Sequence, residues 1–331
     1  MNTPSLPALL QGFFTDRLRI QLGASPCTVA NYRDTFRLLL RFATQSLKRA
    51  PSELRVEELD ASFVGGFLQH LEVDRGNCTR TRNTRLAALR AFFRYVAINE
   101  PACALQCQRL LAIPTKRCQH DLVEFLTDEE VAALIAAPNP DMWIGRRDRT
   151  IMLVAARTGL RNSEITGLRR QDVEFGTGAH VRCLGKGRKA RCTPLSADAA
   201  AALKEWITEQ GGDPGDPVFP SSRAGRISAD AFQRLVARHV ASASECCPSL
   251  KNKKVTPHTL RHTAAMALLR RGVDLTVIAL WLGHESTDTT QVYLHADMRL
   301  KERALAHAAS TGTMPKRYRP PDPLLAFLEN L

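Results

Sequence analysis

The sequence of 331 residues lacks any hydrophobic run long enough to cross a membrane. A transmembrane helix needs roughly 18 or more consecutive apolar residues, and no stretch approaches that length. The first ten residues lack the basic start and apolar run of a signal peptide, and no basic amphipathic helix or lipidation signal stands at either end. We therefore expect a cytoplasmic protein with no membrane partner.

Metal-binding, disulfide and nucleotide-binding patterns are also missing. The nine cysteines never adopt the C-x-x-C spacing that closes a zinc knuckle, and their odd number argues against a disulfide framework. His258 and His262 stand four residues apart, downstream of Cys246 and Cys247, but the glutamate of an H-E-x-x-H site is absent. The G-x-x-x-x-G-K-[ST] spacing of a P-loop is absent too. We therefore expect neither a metal nor a cofactor.

Positive charge is what the sequence has in excess. Lys and Arg number 46 against 33 Asp and Glu, which gives a formal net charge of +13. Most of this excess lies in residues 1–120. The composition, 44% hydrophobic and 24% charged, is otherwise typical of a folded globular protein. Because a basic surface attracts polyanions, nucleic acid is the expected partner.

The first third of the chain predicts helices separated by short breaks. Ser25 and Pro26 supply an N-cap and a first-position proline for a helix that continues to about residue 46. Asp60 is the expected N-cap of a second helix, and Thr79 begins a third. Apolar residues recur at helical spacing in each, so the three helices can share one core.

The third predicted helix carries five arginines and has no acidic neighbour to balance them. They are Arg80, Arg82, Arg85, Arg90 and Arg94. A solvated helix face is the commoner explanation of such a run. Because like charges repel one another, contact with a phosphate backbone would relieve the repulsion, and we take these arginines as candidate DNA-binding residues.

Residues 113–123 have no clear periodicity and include Pro114, which indicates a linker. This linker divides the chain into a helical domain of residues 1–112 and a second domain of residues 124–312. The remaining residues, 313–331, form a basic, proline-rich tail.

The second domain predicts more helices and one small β element. Thr127 and Glu130 form a capping box, and a later helix ends at Gly159. Two short strands, His180–Leu184 and Arg191–Leu195, flank a glycine- and lysine-rich turn. The fold class is therefore mainly α with a small β-hairpin or sheet.

Three short motifs in this domain could carry chemistry. Thr158-Gly-Leu-Arg places Arg161 at a tight junction between two helices. Thr256-Pro-His-Thr-Leu-Arg places His258 and Arg261 three residues apart, on one helix face. Leu282-Gly-His and Val-Tyr follow, with His284 nine residues before Tyr293.

Taken in order, these motifs resemble the tyrosine recombinases, the phage integrase and Xer-like family, over nearly the whole chain. The family pattern runs arginine, hairpin lysine, His-x-x-Arg, histidine or tryptophan, and tyrosine. It is matched by Arg161, Lys186, His258, Arg261, His284 and Tyr293. The resemblance implies a helical core-binding domain and a catalytic domain that clamp duplex DNA, in a homo- or hetero-tetramer on paired DNA sites. It also implies site-specific cutting and rejoining of DNA, in integration or recombination.

The residue types suit that chemistry. A phosphodiester gains negative charge as its phosphorus becomes pentacoordinate, and planar guanidinium donors such as those of Arg161 and Arg261 can stabilise it. The resemblance implies that Tyr293 attacks phosphorus and forms a 3′-phosphotyrosyl link. That link conserves bond energy, so rejoining needs no ATP.

The resemblance also assigns the remaining roles. Lys186 becomes the general acid for the 5′-oxygen, although Lys189 stays open as an alternative. His258 assists proton transfer at the tyrosine, and His284 donates a hydrogen bond to the phosphate.

Two other functions remain open at this point. A type IB topoisomerase uses the same chemistry to relax DNA, and a relative without catalysis would only bind DNA.

In the tail, Asp322 and Pro323 can begin a closing helix. Its apolar stripe comprises Leu324, Leu325, Phe327, Leu328 and Leu331. The resemblance implies that it docks on the next protomer, with docking on its own domain as the alternative.

Overall fold

Helices account for most of the secondary structure in the described part of the chain. The computed structural model describes residues 5–118, 123–185, 190–222, 225–283, 290 and 293. The chain divides into two compact units, residues 1–120 and residues 121–331. Within the described residues, no helix is both long enough and apolar enough to cross a membrane.

The first unit is a helical bundle. Its helices are α1 (Leu6–Gly12), which continues as a π-helix (Phe13–Gln21), α2 (Pro26–Leu47), α3 (Ala61–Val73), α4 (Thr79–Asn99) and α5 (Ala104–Leu111). Ser25 Oγ accepts a hydrogen bond from the Thr28 backbone N–H, and Asp60 caps α3 in the same way, so both predicted caps are confirmed. The core includes an aromatic cluster in which the Phe36 and Phe92 ring centroids lie 5.1 Å apart.

The second unit contains the remaining helices and a small sheet. Its helices are α6 (Asp128–Ala136), α7 (Trp143–Thr158), α8 (Asn162–Gly167), α9 (Ala197–Gln210), α10 (Ala229–Cys246), α11 (Pro257–Arg270) and α12 (Leu275–Leu282). Thr127 and Glu130 form the predicted capping box at α6. The helix that ends at Gly159 is predicted to begin near Arg149 but begins at Trp143, because its first turn has no side-chain cap that would mark it in the sequence.

The sheet has three antiparallel strands in the order β1 (Val173–Glu174), β2 (His180–Leu184) and β3 (Ala190–Pro194). The predicted first strand is confirmed, and the second begins one residue earlier than predicted. Cys183 on β2 pairs with Arg191 on β3. Strand β1 was not predicted, because two residues are too few to show an alternating pattern.

The junction after α7 brings three helices close together. Gly159 has a φ of 66°, and a Cβ atom placed there would lie 3.2 Å from Ala264 of α11 and 2.7 Å from Leu282 of α12. A side chain is therefore excluded both by backbone conformation and by the close approach of two helices. This packing sets the positions of the residues at the ends of α7, α11 and α12.

Candidate active site

Arg161 lies between α7 and α8, where a carboxylate and a carbonyl hold it. Its backbone N–H and its Nη1 donate to the two oxygens of Glu164, at 2.8 and 2.9 Å. Its Nη2 donates to the Gly283 carbonyl oxygen at 2.6 Å. The guanidinium is thus fixed in orientation and remains partly exposed.

Glu164 connects this arginine to the sheet. Arg191 of β3 donates to both Glu164 oxygens, at 2.7 and 2.8 Å, in a bidentate pair. Burial by itself would raise the pKa of Glu164, but hydrogen bonds from Arg191 and Arg161 outweigh it and lower the pKa to about 2. The carboxylate is therefore ionised at neutral pH and organises two cations.

Helix α11 supplies the second arginine. Thr256 caps the helix, and Pro257 occupies its first position, as predicted. Arg261 is only 3% exposed, and it donates to the carbonyl oxygens of Gly159 and Leu282, at 2.7 Å each. Burial, and then the charge of Arg161, lower the pKa of Arg261 to about 10, so the side chain remains charged at neutral pH.

His258 lies on the same helix, near both arginines. Burial lowers its pKa, and the positive charges of Arg261 and Arg161 lower it further. A group in this environment is held in its neutral form at physiological pH.

Tyr293 is buried against α11, with 1% of its surface exposed. Its Oη lies 2.9 Å from Nδ1 of His262, and the two ring centroids lie 5.5 Å apart. The His262 ring also packs edge-on against His258, at 4.2 Å between centroids. Burial raises the pKa of Tyr293 to about 12, although Arg261 opposes that shift.

The structure thus brings four of the six motif residues together. Arg161 and Arg261 bind the carbonyl groups of two consecutive residues, 283 and 282, while His258 and Tyr293 both contact the ring of His262. Lys186, with its alternative Lys189, and His284 lie outside the described residues.

Sequence reasoning missed two residues of this network. Arg191 entered the sequence analysis only as the first residue of a predicted strand, and His262 was weighed only as a metal ligand. The i, i+4 spacing of His262 from His258 was the available signal for a shared helix face. Nothing in the sequence indicates the pairing of Arg191 with Glu164. Within the described residues, no group of three or more His, Cys, Asp or Glu side chains could hold a metal ion.

The five candidate DNA-binding arginines of α4 have two kinds of environment. Arg82 donates a hydrogen bond to the Pro114 carbonyl oxygen. Arg85 donates to the side chains of Asn31 and Thr35. Arg90 donates to the Thr115 side chain and to the Ile113 carbonyl oxygen. These three guanidiniums link α4 to other parts of their own domain. Arg80 and Arg94 are exposed.

Two family models match the chain. Residues 124–299 match the phage integrase family, and residues 12–99 match the phage integrase N-terminal SAM-like domain. The class defined by fold and site is therefore that of the DNA recombinases with a tyrosine-recombinase fold. The chain belongs to the phage integrase family.

Individual relatives agree with this assignment. A putative integrase/recombinase, y4rC, of Sinorhizobium fredii is 52% identical over 328 residues, covering 99% of this chain and 98% of the relative. Tyrosine recombinase XerC of Syntrophus aciditrophicus is 34% identical, covering 74% of this chain and 79% of the relative. The expected family is thus confirmed.

Solved structures share the fold at lower identity. The XerH site-specific recombinase bound to a palindromic difH substrate, in a post-cleavage complex, has a TM-score of 0.69 at 22% identity, over 86% of this chain and 80% of that chain. A lambda integrase tetramer bound to a Holliday junction has a TM-score of 0.63 at 17% identity, over 96% of this chain and 81% of that chain. The expected fold class, mainly α with a small antiparallel sheet, is confirmed.

Proposed function

We propose that this protein is a site-specific recombinase that cuts and rejoins double-stranded DNA through a 3′-phosphotyrosyl intermediate at Tyr293. The observation that carries the proposal is the convergence of Arg161, Arg261, His258 and Tyr293 on one network of contacts. A tyrosine near the anchored Arg261, which in turn lies near the anchored Arg161, is suited to attack on a phosphodiester.

The arginines stabilise the charge that develops on phosphorus. Their contacts with described residues use two of the five N–H donors of each guanidinium, Arg161 and Arg261. We propose that the remaining donors bind the non-bridging oxygens. Because the guanidiniums are already fixed, they need no reorganisation during the reaction, and this preorganisation contributes several kcal/mol, on the order of 3, to lowering the barrier.

The covalent step exchanges one phosphodiester for another. The Oη of Tyr293 forms a bond to phosphorus while the bond from phosphorus to the 5′-oxygen breaks; a histidine of α11 accepts the phenolic proton, and Lys186 protonates the leaving oxygen. His284 donates a hydrogen bond to the phosphate. A 5′-hydroxyl from another strand reverses the reaction, so neither ATP nor a divalent metal takes part.

The proposed substrate complex has two DNA-bound domains in each protomer and four protomers on paired sites. Arg80 and Arg94, the exposed arginines of α4, are the proposed phosphate contacts of the first domain. The tetramer of lambda integrase on a Holliday junction supports this assembly by analogy. With DNA as its substrate, we expect the protein to act in the cytoplasm.

A nicked suicide substrate tests the proposal once the target has been found by binding-site selection. Wild-type protein should accumulate a covalent DNA adduct in the presence of EDTA. Tyr293→Phe should form none and still bind the site within a few fold, because it loses one hydrogen bond, worth about 1–3 kcal/mol, while the packing of the ring is kept. Tyr95→Phe is the matched control, since Tyr95 lies in the other domain, and it should cleave normally.

Three outcomes would contradict the proposal. Adduct formation by Tyr293→Phe would exclude this nucleophile, and inhibition by EDTA would exclude metal independence. Relaxation of supercoiled DNA without any strand exchange between duplexes would favour the topoisomerase alternative. A wild-type protein that binds the site without ever cutting it would favour a DNA-binding protein.

A further inference from the structure

A second histidine of α11 contacts the proposed nucleophile. His262 lies four residues after His258 and is no member of the six-residue pattern. Its Nδ1 lies 2.9 Å from the Oη of Tyr293, which is within hydrogen-bonding distance. The tyrosine is almost completely buried, so this contact controls the direction in which the hydroxyl points.

The environment of the pair favours a proton acceptor at His262. A neutral imidazole has one nitrogen that accepts and one that donates, and a phenol at neutral pH donates. Burial raises the pKa of Tyr293 to about 12, so the hydroxyl keeps its proton until attack and requires a base in contact. His258 is the histidine of the His-x-x-Arg motif, but its described contact is with the ring of His262.

We propose that His262 orients the Tyr293 hydroxyl and accepts its proton through Nδ1 as the tyrosine attacks phosphorus. The inference rests on the proposed function. The bond from Oη to phosphorus forms, the bond from phosphorus to the 5′-oxygen breaks, and the phenolic proton moves to His262. The leaving oxygen takes a different proton, from the general acid, and each proton returns when the strand is rejoined.

His258 becomes a positioning residue in this arrangement. Its ring meets the His262 ring edge-on, with 66° between the planes. The contact restricts rotation of His262 and so keeps Nδ1 directed at the tyrosine. His258 therefore assists proton transfer through the neighbouring ring.

Three substitutions of His262 in the full chain distinguish a specific hydrogen bond through Nδ1 from a general role in packing. The side-chain oxygen of asparagine lies near the position of Nδ1, whereas that of glutamine reaches the position of Nε2. His262→Ala and His262→Gln should therefore lose about 100-fold or more in the rate of adduct formation, the range of general-base contributions. His262→Asn should cleave about tenfold faster than His262→Gln, because it keeps an acceptor for the hydroxyl.

Controls distinguish catalysis from folding. All three variants should bind the DNA site within about threefold of wild type, as measured by mobility shift. His180→Asn is the matched control, because His180 lies on β2 of the same domain and also uses Nδ1, in a contact with the Gly178 carbonyl. It should cleave at the wild-type rate.

A substrate with sulfur in place of the bridging 5′-oxygen shows whether a variant is defective in proton transfer from the tyrosine or to the leaving group. Sulfur leaves without protonation, so this substrate should rescue Lys186→Ala and leave the defect of His262→Ala unchanged. Rescue of His262→Ala would overturn the inference, because His262 would then act on the leaving group.

Two further outcomes would also overturn the inference. Equal activity of the asparagine and glutamine variants would exclude a specific Nδ1 contact. Unchanged or faster cleavage by His262→Ala would show that the hydrogen bond only restrains the buried tyrosine. Absence of any adduct with wild-type protein would instead refute the proposed function itself, so the two failures are distinguishable.

Discussion

At the scale of single residues, Glu164 determines the charge balance of the site. Its side chain is 3% exposed and accepts hydrogen bonds from Arg161 and Arg191. A buried carboxylate would be costly without these partners, and the two guanidiniums would repel each other without the carboxylate. The anion therefore positions Arg161, which the proposed mechanism needs.

This arrangement predicts a pH dependence of stability. The pKa of Glu164 is about 2 in the folded protein against its ordinary value of 4.5, so its contribution is present above pH 4.5 and is lost as the pH falls toward 2. Glu164→Gln should lower the free energy of unfolding at pH 7 by about 3 kcal/mol, since it breaks a buried pair. Urea unfolding at pH 7 and at pH 3 measures the difference, which should shrink at the lower pH. A constant difference between the two pH values would contradict the assigned pKa.

The bidentate contact of Arg191 with Glu164 should support cleavage in a way that a positive charge alone does not. Arg191→Lys keeps the positive charge but loses the bidentate contact with Glu164, so Arg161 is held less firmly. Adduct formation should slow about tenfold or more, with DNA affinity nearly unchanged. The control is Arg182→Lys on β2, whose pair with Glu174 is exposed and should contribute less than about 1 kcal/mol. Wild-type cleavage by Arg191→Lys would show that the bidentate contact is dispensable.

At the scale of secondary-structure elements, the arginines of α4 fall into two groups, one bonded within the domain and one exposed. Its inner arginines hold α2 and the segment after α5, and its exposed arginines are available to a ligand. Five residues that look alike in sequence therefore have different expected effects when they are substituted.

Matched substitutions on α4 test this division. Arg80→Ala with Arg94→Ala should weaken DNA binding at every sequence and reduce the salt slope of the binding constant by up to about 2, without lowering the melting temperature. Arg85→Ala should lower the melting temperature, because the side chains of Asn31 and Thr35 lose their donor. Salt-dependent binding isotherms and thermal unfolding provide the measurements. Equal loss of affinity from all three substitutions would contradict the division.

At the scale of the whole molecule, the two units carry separate tasks. The net charge of +13 favours the binding of DNA, while the arginines and the tyrosine of the proposed active site all belong to residues 121–331. We therefore expect catalysis to require the second unit and the first unit to add affinity for DNA.

The tail, residues 313–331, lies outside the described residues, and its role stays a prediction. If its apolar stripe docks on the next protomer, a chain that ends at Thr313 should bind a single half-site normally. The same chain should lose cooperative binding on a full site and cleave poorly, because burying such a stripe contributes several kcal/mol at about 25 cal/mol per Å². Mobility shifts on half and full sites measure both effects. Normal synapsis, or unfolding of the shortened chain, would refute docking in trans.

Much of the fold and the order of the site residues were determined by the sequence alone. Caps at Ser25, Asp60 and Thr256 predicted helix starts correctly, because a cap acts on backbone groups within three residues. The order of the motif residues likewise identified the family, since motif spacing is visible without a structure. Predictions were weakest where no local signal exists, as for the two-residue strand β1 and the uncapped start of α7.

Tertiary structure alone decided which side chains meet. The contact of Tyr293 with His262, 31 residues apart, and the pairing of Arg191 with Glu164, 27 residues apart, depend on how separate elements pack. The same holds for the hydrogen bonds of Arg85, whose partners lie on α2. Each of these contacts joins segments distant in the chain, and no local pattern encodes such a contact, because its energy arises only when the intervening chain has folded.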